Sequence, residues 1–125
     1  MPLSKCILVI ICVVATLFSI ALAIPGTAKY WSTFPSQPTD CFGNTPQGTL
    51  LAASDHLGGE YNCGTLVKVT CTGTVPHPCT GKSVVVKVVD DCPGCDATML
   101  LDKAAYSIIA NPVTTLNAIK VDYVN

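Results

Sequence analysis

The sequence predicts a small all-β domain: a compact barrel of short strands, stapled by disulfides, with one short helix late in the chain. Three observations lead there. Several short runs alternate apolar and polar residues, the period of a half-buried strand. Eight cysteines stand among only 125 residues, the density of a stapled extracellular scaffold. Only Asp102 to Ala110 repeats apolar residues at helical spacing.

The chain opens on an export signal. Met1 to Ile24 holds one charge, Lys5, followed by an apolar run from Cys6 to Leu22. Small Ala21 and Ala23 complete the pattern, so cleavage is expected after Ala23, giving a signal peptide over 1–23 and one domain over 24–125. An uncleaved anchor is the alternative, because the run approaches the roughly 20 residues that span a bilayer. Either way the domain is expected outside the cytosol, and after cleavage not embedded in a membrane.

Thr27 to Trp31 reads as the first strand. Thr33 to Pro46 carries three prolines and Gly43 and reads as loop. Leu50 to Ser54 is a short apolar piece of either type. Leu66 to Cys71 is a strand with Val67 and Val69 on one face and Lys68 and Thr70 on the other. Ser83 to Asp90 packs valines around Lys87 and reads as a strand buried on both faces. In the helix Asp102 stands at the N-cap, where its carboxylate can accept from a free first-turn amide. Ala104 with Ile108 and Ala105 with Ile109 then share an apolar side, and Asn111-Pro112 ends the helix. Ala118 to Tyr123 alternates again, with Ile119, Val121 and Tyr123 inward.

Cys6 and Cys12 leave with the signal, and six cysteines remain. Six allow fifteen pairings, and spacing alone selects none. Local geometry favours Cys71–Cys79 across a proline-rich loop and Cys92–Cys95 across a Pro-Gly turn, which leaves Cys41–Cys63. Cys92-Pro93-Gly94-Cys95 is also a CxxC, but no long helix follows it as in a redox-active dithiol.

Charge excludes some partners. Without Lys5 the chain has six lysines and no arginine against eight carboxylates, so nucleic acid is not an expected partner. His56 and His77 stand in no ligand spacing, and neither a metal nor a cofactor is expected. Nothing demands more than a monomer. Asp90, at the end of the valine strand, and Asp102 are the acidic positions where chemistry could sit; turn binding and helix capping are their structural alternatives. Tyr30, Trp31 and Phe34 are either a strip for stacking on sugars or partly core.

Five segments resemble expansin domain 1. Gly26-Thr27-Ala28-Lys29-Tyr30 resembles its opening, Asp40-Cys41-Phe42-Gly43-Asn44 its CYG segment, and Asn62 to Cys71 its CGxxxxVxC segment. Val84 to Asp90 and Leu101-Asp102 are similar to VxVxVxD and the later (I/L)D, and Ile109 to Pro112 to the end of the next helix. Expansins carry a second, carbohydrate-binding domain with no counterpart here. The chain therefore most resembles the plant natriuretic peptide group, small secreted proteins with a lone family-45-endoglucanase-like domain, which includes the citrus blight-associated protein.

The resemblance implies a six-stranded double-psi β-barrel. It implies an apoplastic, non-enzymatic protein proposed to act systemically on water and solute homeostasis, through a plasma-membrane receptor and cGMP, without expansin activity. The receptor-active region would fall around Ser36 to Leu66. The groove residues of the wider superfamily fall on Thr27, Tyr30, Asp90 and Asp102. A wall-polysaccharide-binding or loosening protein and a barwin-like defence protein are the alternatives. Lys29 stands where the family has Thr and would place a cation near the groove. The family's CPPGC is shortened to Cys92-Pro93-Gly94-Cys95, and the Ser after (I/L)D-x is replaced by Ala104.

Overall fold

The computed structural model describes residues 22–55, 61–73, 78–113 and 118–125. The segment expected to direct export, apart from Leu22 and Ala23, lies outside the described residues, as do His56 and His77. Six strands close a barrel: β1 (Ile24–Tyr30), β2 (Leu51–Ser54), β3 (Leu66–Cys71), β4 (Ser83–Asp91), β5 (Met99–Leu101) and β6 (Ile119–Val124). Helix α1 (Lys103–Ile109) lies between β5 and β6. The strand order around the barrel is β1-β5-β2-β4-β3-β6. The β1–β5 and β2–β4 pairs are parallel and the other four are antiparallel. Two parallel pairs with these crossovers make it a double-psi β-barrel.

The interior follows from period-2 alternation. Val67 and Val69 of β3 face Val86 and Val84 of β4 in register, and all four are buried. Ile119, Val121 and Tyr123 bring β6 into the same core. Burying each such side chain stabilises the fold by roughly 1.5–3 kcal/mol. β4 departs from the reading as a strand buried on both faces: Val85 is 51% exposed. A barrel wall has one dry face only, and the outer face of β4 next to β3 is uncovered.

β5 is absent from the strands read along the sequence. Met99-Leu100-Leu101 is three apolar residues with no alternation, and its partners Ala28 to Tyr30 and Ala52 to Ser54 are remote in the chain. β1 starts earlier than expected, at Ile24, because Ile24 to Ala28 pair with β6. It stops before Trp31. Gly26 is required there: a Cβ would lie 2.6 Å from the Tyr123 ring and 2.8 Å from Thr98 Oγ1.

Helix α1 is too short to persist alone. It holds because Ala105, Tyr106 and Ile109 are buried against the barrel. Asp102 caps it in an extended conformation, its Oδ1 accepting from Ala105 N at 2.9 Å. At the other end Thr80 Oγ1 donates to the Ile108 carbonyl, and Cys79 bridges to Ala110. The disulfide Cys71–Cys79 ties that corner to β3. Cys41–Cys63 and Cys92–Cys95 are the other two bonds.

Candidate functional site

One row of residues crosses the outer face of four strands. Lys29 of β1 pairs with Leu100 of β5, Leu100 with Ala53 of β2, and Ala53 with Asp90 of β4. Asp90 belongs to this row because of a β-bulge. The β2–β4 register shifts between Ala52, opposite Val88, and Ala53, opposite Asp90. Val88 and Val89 are both buried as a result. Unbroken alternation from Val84, Val86 and Val88 would have turned Asp90 into the barrel; the extra residue turns it out.

Above this row lies a cavity of about 290 Å³. Ala53 and Leu100 form its floor, and Trp31, Phe34, Asp90 and Asp91 surround it. A turn carries the aromatic pair: Phe34 N donates to the Trp31 carbonyl at 3.1 Å, folding both rings to one side. The Cys92–Cys95 hairpin forms the far wall. Cys95 N donates to the Cys92 carbonyl at 3.0 Å, and Gly94 takes φ +75° at the third position, which only a glycine accepts without strain in a Pro-Gly turn of this kind. Asp55 Oδ1 accepts from Gly94 N at 3.3 Å and pins the hairpin down.

The carboxylates here are crowded. Asp90 Oδ1 accepts from Asp91 N at 2.9 Å and from Asp40 N at 3.1 Å, and Asp40 Oδ2 accepts from the same Asp91 N at 3.3 Å. Burial pushes the Asp90 carboxyl above its ordinary value despite two amide donors, and the neighbouring Asp40 adds to the rise. Asp91 lines the cavity, and its Oδ1 is buried with no hydrogen-bond partner among the described residues.

The four sequence-predicted groove residues are not brought together around this cavity. Thr27 ties β1 to the approach of β5: its N donates to Thr98 Oγ1 and its Oγ1 accepts from Thr98 N, each at 3.1 Å. Tyr30 turns toward the core, its ring centroid 6.1 Å from that of Tyr106. Asp102 is 5% exposed and engaged as the helix cap. It borders a second cavity with Lys103, Ser107 and Thr49, and Phe34 stands at the edge of both. Of the aromatic strip, Trp31 and Phe34 line the same cavity while Tyr30 packs against the core. Lys29 lies on the same row as Asp90, beyond Leu100 and Ala53, and pairs with Asp96 at 4.0 Å. Among the described residues no group of three or more His, Cys, Asp or Glu side chains is arranged to hold a metal.

Residues 36–50 form a displayed loop next to this site. Ser36, Gln37, Pro38 and Asp40 are exposed, as are Asn44, Thr45 and Pro46. The loop is nevertheless clamped. Thr39 and Gly43 exchange backbone hydrogen bonds at 2.9 Å. Lys87 reaches from β4 over the Phe42 ring, 4.7 Å from its centroid, and donates to Gln47 Oε1 at 2.6 Å. Cys41–Cys63 fixes the same loop covalently.

The cap makes a direct test of what Asp102 does. Asp102→Ala is expected to lower stability by about 1 kcal/mol, a fall in Tm of roughly 4–8 °C for a domain of this size. Asp102→Asn, which can still accept from Ala105 N, is expected to keep most of it. Thermal melts followed by circular dichroism check this, and equal losses in both variants would show that capping is not its role.

Three curated plant proteins are similar to this chain. EG45-like domain containing protein 1 of Arabidopsis thaliana is 42% identical over 127 residues, covering 97% of this chain and 98% of that protein. EG45-like domain containing protein of Citrus jambhiri is 38% identical over 116 residues, covering 87% and 88%. EG45-like domain containing protein 2 of Arabidopsis thaliana is 32% identical over 112 residues, covering 86% and 85%. No family model matches the chain, and no solved structure matches it significantly.

Proposed function

Because the chain belongs to the EG45-like domain containing proteins, single-barrel relatives of expansins, we propose that it is an exported signalling protein that regulates water and solute balance through a plasma-membrane receptor and cGMP. The clamped, exposed loop over residues 36–50 carries this reading. A surface held by a disulfide, a cation over an aromatic ring and a backbone bridge loses little freedom on docking, and preorganisation of that kind favours affinity. The lodging of Asp90 and Asp102 on two different cavities supports a non-enzymatic role. Glycosidic hydrolysis by the usual route needs an acid and a second carboxylate flanking one bond. Here Asp90 borders one cavity, and Asp102 borders another with its carboxylate occupied by a helix amide.

Wall-free protoplasts test the proposal, since they have no wall to loosen. The protein spanning 24–125 is expected to swell them in a dose-dependent, saturable way with a rise in cGMP. Loosening the loop with Lys87→Ala is expected to shift the dose required upward several-fold. Absence of swelling beside an active positive control overturns the reading.

A further inference from the structure

We propose that the outer face of β3, with its neighbours β4 and β6, docks on an anionic lipid bilayer. The centre of this face is apolar. Leu66 is 59% exposed and Val85 is 51% exposed. Lys68 stands in one row between Val85 of β4 and Val124 of β6, and Leu66 lies two residues along β3 on the same side. The aliphatic side chains therefore form one patch around Lys68 rather than scattered singles, and a contiguous exposed patch marks an interaction surface.

Charge says what covers the patch. Besides Lys68, Lys120 is exposed on β6 and Lys82 at the entry to β4. None of the three forms an ion pair among the described residues, where Lys29 with Asp96 is the ion pair. Asp122, opposite Thr70, is the described carboxylate on this face, and Asp90 and Asp91 lie at the other end of β4. The chain as a whole carries a net charge of −1, so this positive face arises from segregation of charge by the fold. Lysines near an anionic bilayer each add to the attraction. Their long stems can lie along Leu66, Val85 and Val124 while the ammonium groups reach the headgroups, and the aliphatic tips enter the headgroup–acyl boundary. An acidic polysaccharide would take up the lysines and leave Leu66 and Val85 in water. A protein partner would find no pocket for an anchor, since neither cavity described above reaches this face, and the closed barrel offers no free strand edge. A fluid bilayer requires neither. Bilayer docking stands apart from the receptor reading, because it is measured on pure lipid and swelling is measured on cells.

Cosedimentation of the protein spanning 24–125 with vesicles tests the proposal. One set is pure phosphatidylcholine, and the other is an equimolar mixture of phosphatidylcholine and phosphatidylserine. Binding is expected to the mixed vesicles, to fall as salt is raised, and to be weak on pure phosphatidylcholine. Lys68→Glu combined with Lys120→Glu is expected to weaken binding to the mixed vesicles by about tenfold or more. Lys103→Glu, a charge reversal on the helix, is expected to leave it nearly unchanged. Leu66→Ser combined with Val85→Ser alters no charge and is expected to weaken binding several-fold, a loss that attraction to a polyanion alone would not produce. Soluble polygalacturonate is titrated in parallel. Equal binding to the two vesicle types, binding indifferent to the Lys68 and Lys120 substitutions, or saturable binding of polygalacturonate with none to mixed vesicles overturns the proposal. The comparison of vesicle types on the unsubstituted protein decides the question even if a variant fails to fold.

Discussion

Tyr123→Ala is expected to cost roughly 3–5 kcal/mol of folding stability, the range for deleting a buried aromatic ring. Tyr123 is fully buried at the point where the barrel closes. Its strand, β6, pairs with β1 on one side and β3 on the other. Its ring lies 6.1 Å from that of Tyr61 and fills the space that Gly26 leaves open. Its hydroxyl donates to the Thr27 carbonyl, so the buried polar atom is satisfied and β1 gains a tie. Burial holds the phenol far above its ordinary pKa, which keeps it neutral and able to donate. Truncation would remove the ring contacts, the cavity filler and the tie together. Small domains are stable by only about 5–15 kcal/mol, so much of the total is at stake. Urea denaturation measures it. A loss below about 1 kcal/mol would mean that the barrel closes without this ring, and the account of β1–β6 closure would be wrong.

Joint replacement of Cys41 and Cys63 by serine is expected to cost about 3 kcal/mol. The bond spans a sequence separation of 22, and the chain-entropy model assigns roughly that much to a loop of this length. Cys92–Cys95 spans a separation of only 3, and its removal is expected to cost clearly less. The effect of the first bond reaches the surface. Cys41 N also donates to the Val89 carbonyl at 3.1 Å, and Asp40 beside it to Asp90, so the bond secures the displayed loop against the bulged part of β4. Comparing urea midpoints of the double-serine proteins for the two bonds checks the order. If the Cys92–Cys95 variant were the less stable, closure of the long loop would not be what stabilises the fold.

Much of the barrel was legible along the chain. Alternation at Val67 and Val69 located β3 with its ends, and alternation at Ile119, Val121 and Tyr123 set the inward face of β6. Asp102 and Asn111-Pro112 bracketed the helix, because capping and proline act within one turn. β5 was not legible, since three consecutive apolar residues have no period and gain strand structure only from partners far along the chain. The run Val88-Val89 concealed the bulge: two adjacent valines read equally well as a strand with both faces covered.

The sequence by itself determined where strands and the helix form and which face of β3 and β6 turns inward, because these depend on neighbours a few residues away. Only the tertiary structure decided what the acidic and aromatic residues do. The register shift opposite Ala52 and Ala53 put Asp90 on the outer face. The pairing of Ala53, Leu100 and Lys29 laid a floor beside it, and the Trp31–Phe34 turn set two rings above that floor. The same closure buried Asp102 under the helix and drew Tyr30 and Thr27 into packing and strand ties. Register and barrel closure arise from pairings between strands remote in sequence, and a one-residue shift reverses the side on which a group stands.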